Sequence, residues 1–138
     1  MERTWFVVAD QSKASLYKVE GTRLNPVLEE VDIIDHPEGR EQGDPSSSGS
    51  NLSFSDLKGS TAEREKRFVR QVVDRLKKEQ QTGSFRKLYV AAPAGFMGTL
   101  RGLYGNRLSQ AVSGEYVGDY THENARALSK RIKKKWSS

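Results

Sequence analysis

The chain has 138 residues, 35% of them hydrophobic and 30% charged, with no cysteine and a net charge of +5. That length suits one domain with a real core, spanning 1–138, and excludes two long ones. The missing cysteines exclude disulfides, thiolate nucleophiles and cysteine-held metals, no apolar run reaches membrane-spanning length, and "MERTWFVVAD" lacks a signal-peptide core, so a cytoplasmic protein is expected.

The first element, Thr4 to Asp10 ("TWFVVAD"), is a continuous apolar run and predicts a central strand. Asp10-Gln11-Ser12 forms a turn into a second strand, "SKASLYKVE", whose two faces both carry bulky residues. "LNPVLEEVDII" gives a third strand, with Pro26 near its start, where an edge position tolerates a missing donor. Residues 36–59 are rich in Gly, Ser, Pro and charge and predict a long mobile loop, with Leu52, Phe54 and Leu57 available to pin its end. A helix follows from Ser60 to Gln81, opened by a Ser60–Glu63 capping box and closed by Gly83. Phe68, Val69, Val72, Val73 and Leu76 form its apolar stripe, opposite Arg64, Arg67, Arg75 and Lys78.

Phe85 to Pro93 reads as a strand buried on both faces. A helix beginning near Gly95 to Gly98 follows, with Phe96, Leu100, Leu103 and Leu108 turned inward. "AVSGEYVGD" is a shorter strand. Thr121 then caps a last helix, in which Ala125, Leu128, Ile132 and Trp136 share one face. The order β-β-β-α-β-α-β-α implies an antiparallel trio, two parallel crossovers and a mixed five-stranded α/β sheet. By analogy of element order this is a ribonuclease-H-like fold.

Charge is unevenly placed. Residues 1–60 hold 6 basic and 11 acidic groups, net −5, while residues 61–138 hold 17 and 7, net +10. Residues 121–138 alone carry 6 basic groups against one acidic. Such asymmetry favours a polyanion such as RNA, or an anionic membrane surface, against the plain reading of a soluble domain with a basic tail. The candidate phosphate contacts are Arg126, Lys130, Arg131, Lys133, Lys134 and Lys135 on the last helix, with Arg101 and Arg107 flanking the glycine-bearing one. Gly95 and Gly98 lie where a strand end meets a helix start, a place that suits anions. The Walker and dinucleotide fingerprints are absent. Glycine inside a helix destabilises it, and close packing of helix on sheet is a sufficient reason for Gly95, Gly98 and Gly102.

Asp10, Glu65 and Asp119 sit at element positions where a metal-dependent nuclease would gather carboxylates, but no carboxylate occupies the middle of the first strand, and Asp10 fits a turn cap better. His36 and His122 do not specify a metal site, and no hydrolase elbow is present. No catalytic residue, metal or cofactor is assigned.

Three stretches carry a resemblance. "WFVVADQSKASLYKV" is similar to the start of the bacterial host-attachment protein family, proteins required for attachment to host cells. Trp5, Ala9, Asp10 and Ala14 match there, while Lys13 and Ser15 stand in place of arginines. "LYVAAPAGFMGTLR" resembles the family's central motif through Pro93, Phe96, Gly98, Leu100 and Arg101. "VGDYTHENARAL" resembles its last motif, with Asp119, Thr121 and His122 aligned, and 39–59 suits its variable loop. The resemblance covers nearly the whole chain. It implies a relation to the central domain of eukaryotic-type peptide release factors, and with it the ribonuclease-H-like topology. Those factors carry a Gly-Gly-Gln loop. Here Gln42 stands beside Gly43 without that tripeptide, so peptidyl-tRNA hydrolysis is not expected. The expectation is a nonenzymatic domain that associates with RNA or the ribosome. A protein-interaction module for attachment and a metal-dependent nuclease are the alternatives. A homodimer through the edge beside the third strand is also open.

Overall fold

A computed structural model describes residues 3–36 and 61–137. Strands β1 (Thr4–Ala9), β2 (Lys13–Gly21) and β3 (Pro26–Asp35) form an antiparallel meander. Asp10 closes the first turn as expected, its Oδ1 accepting the amide hydrogens of Ser12 at 2.7 Å and Lys13 at 3.0 Å. Gly21 makes the second turn with φ +82°. A Cβ there would stand 2.5 Å from the Asn25 carbonyl oxygen, so both conformation and space require glycine.

Helix α1 (Thr61–Gln81) leads to β4 (Lys87–Ala92), which lies parallel to β1. Helices α2 (Ala94–Leu103) and α3 (Gly105–Ala111) lead to β5 (Val112–Val117), parallel to β4, and α4 (Ala125–Ser137) follows. The strand order is β3-β2-β1-β4-β5, the mixed ribonuclease-H-like sheet that the element order implied.

Burial follows from helices on both faces. All six residues of β1 are buried because it lies between β2 and β4 with both faces covered. Trp5, Val7 and Leu88 pack with the α1 stripe and with Phe96, Leu100 and Leu108. Phe6, Tyr17, Leu28 and Tyr89 pack instead with Leu128 and Ile132 of α4. Each such side chain contributes roughly 1.5–3 kcal/mol on burial. On the α4 side, Phe6, Tyr89 and Tyr116 stack with ring centroids 5.9–6.3 Å apart. Trp136 closes the row, its Nε1 donating to the Tyr116 hydroxyl at 3.0 Å.

Helix α1 ends as its sequence implied. Gly83 adopts φ +83°, Ser84 donates its amide hydrogen to the Glu79 carbonyl at 2.9 Å, and Gly83 donates to Gln80 at 3.1 Å. Ser60 and residues 37–59 lie outside the described residues, so the capping box and the expected loop do too, apart from His36.

Three local expectations are corrected. The single helix expected after β4 is two, because Gly105 takes φ +74° and breaks the ladder after Tyr104. The last helix begins at Ala125, not at Thr121. Asn124 caps it, accepting the Ala127 amide hydrogen at 2.9 Å, and Thr121 is occupied elsewhere. The glycines of α2 do not serve close packing, since a Cβ on Gly95, Gly98 or Gly102 would meet no heavy atom within 4 Å. They line the exposed side of α2 while Phe96, Met97 and Leu100 face the core. The glycine that close packing does require is Gly114, where a Cβ would fall 2.8 Å from Tyr89 Cδ1.

Candidate functional site

The parallel strands β1, β4 and β5 end along one edge of the sheet. Val8 pairs with Ala91, and Ala92 with Val117, so the segments that follow each strand converge there. These segments hold Asp10, Pro93 to Gly95, and Gly118 to His122. Thr121, which is buried, has its Oγ1 at 2.6 Å from Asp10 Oδ2 and 3.1 Å from Asp119 Oδ1, and its single hydrogen goes to the nearer carboxylate. Its amide donates to Asp119 Oδ1 at 3.3 Å. His122 Nε2 lies 3.5 Å from Asp119 Oδ2, and the Gly118 amide donates to the Ala92 carbonyl at 3.0 Å.

Burial acts to raise the Asp10 carboxyl. The hydrogen bonds from Thr121, Ser12 and Lys13, with His122 nearby, outweigh it and hold Asp10 below the usual carboxylate range. This group therefore works as an ionised clamp. It closes the β1–β2 turn with one oxygen and ties down the segment after β5 with the other. Among the described residues no three His, Asp or Glu side chains converge to hold a metal ion. His36 lies flat on Phe68, with ring centroids 4.4 Å apart, and its Nδ1 is 2.6 Å from the Gln11 carbonyl oxygen.

Helix α2 starts from Pro93 without a side-chain cap, and Gly95 and Gly98 are exposed near that start. Asp10 and Asp119 sit at the same end of the sheet, and their negative charge works against an anion there. Arg101 reaches Glu115 through Nε at 2.8 Å and a terminal nitrogen at 2.7 Å, and Tyr104 donates its hydroxyl to the same carboxylate at 3.2 Å. Burial first, and then the Glu115 charge and that hydrogen bond, push the Tyr104 phenol up. Arg101 thus ties α2 to β5.

The basic residues of α4 divide in the same way. Arg131 pairs with Glu123 and lies 4.8 Å from the Tyr120 ring centroid. Lys133 donates to Asn25 Oδ1 at 3.0 Å, and Lys135 sits 4.9 Å over the Tyr116 ring. Lys134 is exposed near the end of the helix. Arg126 and Lys130 are exposed and make no ion pair among the described residues.

A family model described as "Protein required for attachment to host cells" matches residues 5–132. The chain belongs to that family. A comparison with curated proteins finds no match. Among solved structures it resembles an archaeal translation termination factor, aRF1, with 12% identity and a TM-score of 0.48, over 94% of this chain and 37% of that one. A second likeness is to a structure titled "Archaeal protein", with 12% identity and a TM-score of 0.50, over 96% of this chain and 36% of that one. The chain therefore spans little more than a third of those two proteins, and the likeness is one of fold.

In this member of the family the family-like residues are mostly joints of the fold. Asp10 and Thr121 join the first and last stretches, the Gly118–Ala92 hydrogen bond joins the last and central ones, and Phe96 packs edge-on against Phe68 at 6.0 Å. Trp5 lies buried against Phe85, 5.5 Å between centroids. Arg107 stands apart from these joints. It lines a concavity at the other end of the sheet together with Arg3 and Arg86, which no sequence pattern singles out as a site. The available signal was a cation immediately before each of two parallel strands, Arg3 before β1 and Arg86 before β4.

Proposed function

We propose that the protein is a nonenzymatic binding domain that associates with RNA or a ribosomal surface through phosphate contacts. The observation that carries this reading is the net +10 of residues 61–138, displayed on exposed positions such as Arg107, Arg126 and Lys130. Helix α4 is unsuited to a membrane surface because Leu128 and Ile132, its apolar face, are buried against the sheet. Among the described residues no helix is long and apolar enough to cross a membrane. Asp10 and Asp119 give nuclease chemistry no support, since Asp10 accepts from the Thr121 hydroxyl and the β1–β2 turn and Asp119 accepts from the Thr121 amide. The test is the affinity for labelled structured RNA across a salt series. Binding through about four phosphates of a single strand gives a log–log slope near −3. Absence of binding at low salt would overturn the reading.

A second reading, a protein-interaction module contributing to attachment, is favoured by β3. It is an edge strand carrying Glu29, Glu30, Asp32 and Asp35, and it exposes Val27 (55%), Val31 and Ile33. An edge of this kind can pair with another chain, including a second copy. Partner binding there would survive high salt, which phosphate binding does not.

A further inference from the structure

The end of the sheet opposite Asp10 carries a different kind of surface. A concavity of about 740 Å³ opens beside the starts of β1 and β4, lined by Arg3, Arg86 and Arg107 with Gln80 and Gln110. A second one of about 340 Å³ adjoins it, sharing Gln80 and Arg107 and adding Lys77. Among the described residues no acidic side chain lines either concavity. Among the described residues none of the four cations makes an ion pair, whereas Arg75, Arg101 and Arg131 each hold a carboxylate. Like charges gathered without counter-charges repel one another weakly across solvent, and a bound anion would relieve that repulsion.

The frame beneath these side chains is fixed. The Arg3 carbonyl accepts the amide hydrogens of both Arg86 and Lys87, at 2.8 and 3.1 Å. The Arg3 guanidinium donates one hydrogen to the Gly83 carbonyl, which leaves its other donors for a ligand. Gln80 Nε2 donates to the Arg107 carbonyl at 3.1 Å and holds α3 to α1. Arginine forks and carboxamide donors match tetrahedral oxyanions. A base would find no stacking platform, because Phe85, the aromatic ring lining the larger hollow, is 1% exposed and packs on Trp5.

The geometry points to a phosphate-binding basin that takes consecutive phosphate groups by charge and hydrogen bonds, without reading bases. Its volume accommodates several phosphates, as in a nucleic-acid backbone or a free polyphosphate. The choice of RNA as the source rests on the reading above; the anion site itself does not.

Tripolyphosphate and a labelled single-stranded RNA, each titrated at low salt while backbone amides are followed by NMR, separate the two. The expected result is saturable shifts at Arg3, Gln80, Arg86, Arg107 and Gln110 with both probes. In the double variant Arg86→Gln/Arg107→Gln the tripolyphosphate shifts disappear. RNA affinity falls at least about tenfold, and the salt slope drops by about 1.4 for two lost phosphate contacts. Both positions are exposed, so the variant is expected to fold, and Arg23→Gln, beside Trp136 on the opposite face of the sheet, serves as the control that leaves the basin shifts unchanged. Tripolyphosphate binding in the basin without RNA binding would keep the anion site and discard RNA as its source. RNA binding confined to α4, with the basin silent to both probes, would overturn the basin and leave the RNA reading standing. Basin shifts that persist undiminished in the double variant would also overturn it.

Discussion

The two ends of the parallel strands are built from charged residues on opposite plans. At the carboxyl end, Asp10, Thr121 and Asp119 satisfy one another and the backbone around them. At the amino end, Arg3, Lys77, Arg86 and Arg107 surround open volume with no carboxylate among the lining residues. The proposed binding surface is thus the place where charge is unanswered among the described residues. Arg101 lies in the stretch that most closely resembles the family's central motif, yet Glu115 neutralises it. Among the described residues Arg86 and Arg107 belong to no such pair.

Substitutions at the two ends should therefore separate stability from binding. The largest stability loss is expected for Asp10→Ala, which removes the acceptor of the turn and of Thr121 together. About 2 kcal/mol should be lost in denaturant unfolding, with polyphosphate affinity unchanged. Thr121→Val removes one of those hydrogen bonds and should lose about 1 kcal/mol, and a double-mutant cycle with Asp10→Asn should show the two losses to be coupled.

The same contact sets a pH dependence. The folded-state carboxyl of Asp10 is held below its ordinary value. Its contribution is then fully present above about pH 3.9 and disappears as pH falls through the lowered folded value. Acid unfolding curves of Asp10→Asn should lack that part of the slope, and an unchanged curve would refute the clamp.

Gly98→Ala probes the exposed side of α2. That position has no positive φ, and no atom lies near the place a Cβ would take, so the substitution should raise stability by roughly 0.5–1 kcal/mol in denaturant unfolding. A still smaller stability effect is expected at the basin itself. Arg107→Gln should change unfolding free energy by no more than about 0.5 kcal/mol while weakening phosphate binding.

Much of the fold could be read from the sequence because its signals are periodic and local. The continuous apolar run of β1, the Phe68 to Leu76 stripe and the Leu128–Ile132 spacing each report burial directly. The break at Gly105 was not legible, because Leu108 keeps the helical spacing across it while a left-handed residue redirects the chain. Thr121 imitated a helix cap in sequence. Its partner, Asp10, lies 111 residues away, and no local pattern shows that contact. The glycines of α2 looked like a packing device, and the open space around them is visible only in three dimensions. The basin was illegible for a related reason. Arg3, Lys77, Arg86 and Arg107 are scattered singly along the chain, and the parallel register of β1 and β4, with α1 and α3 packed beside it, brings them to one hollow.

The most direct test of this division is the melting temperature of three proteins, wild type, Asp10→Asn and Arg86→Gln/Arg107→Gln, each with and without tripolyphosphate. Asp10→Asn is expected to melt lower yet keep the tripolyphosphate-induced rise. The arginine variant is expected to melt near wild type and lose that rise. An equal rise in all three proteins, or a rise lost in Asp10→Asn and kept in the arginine variant, would contradict the division of charge between the two ends.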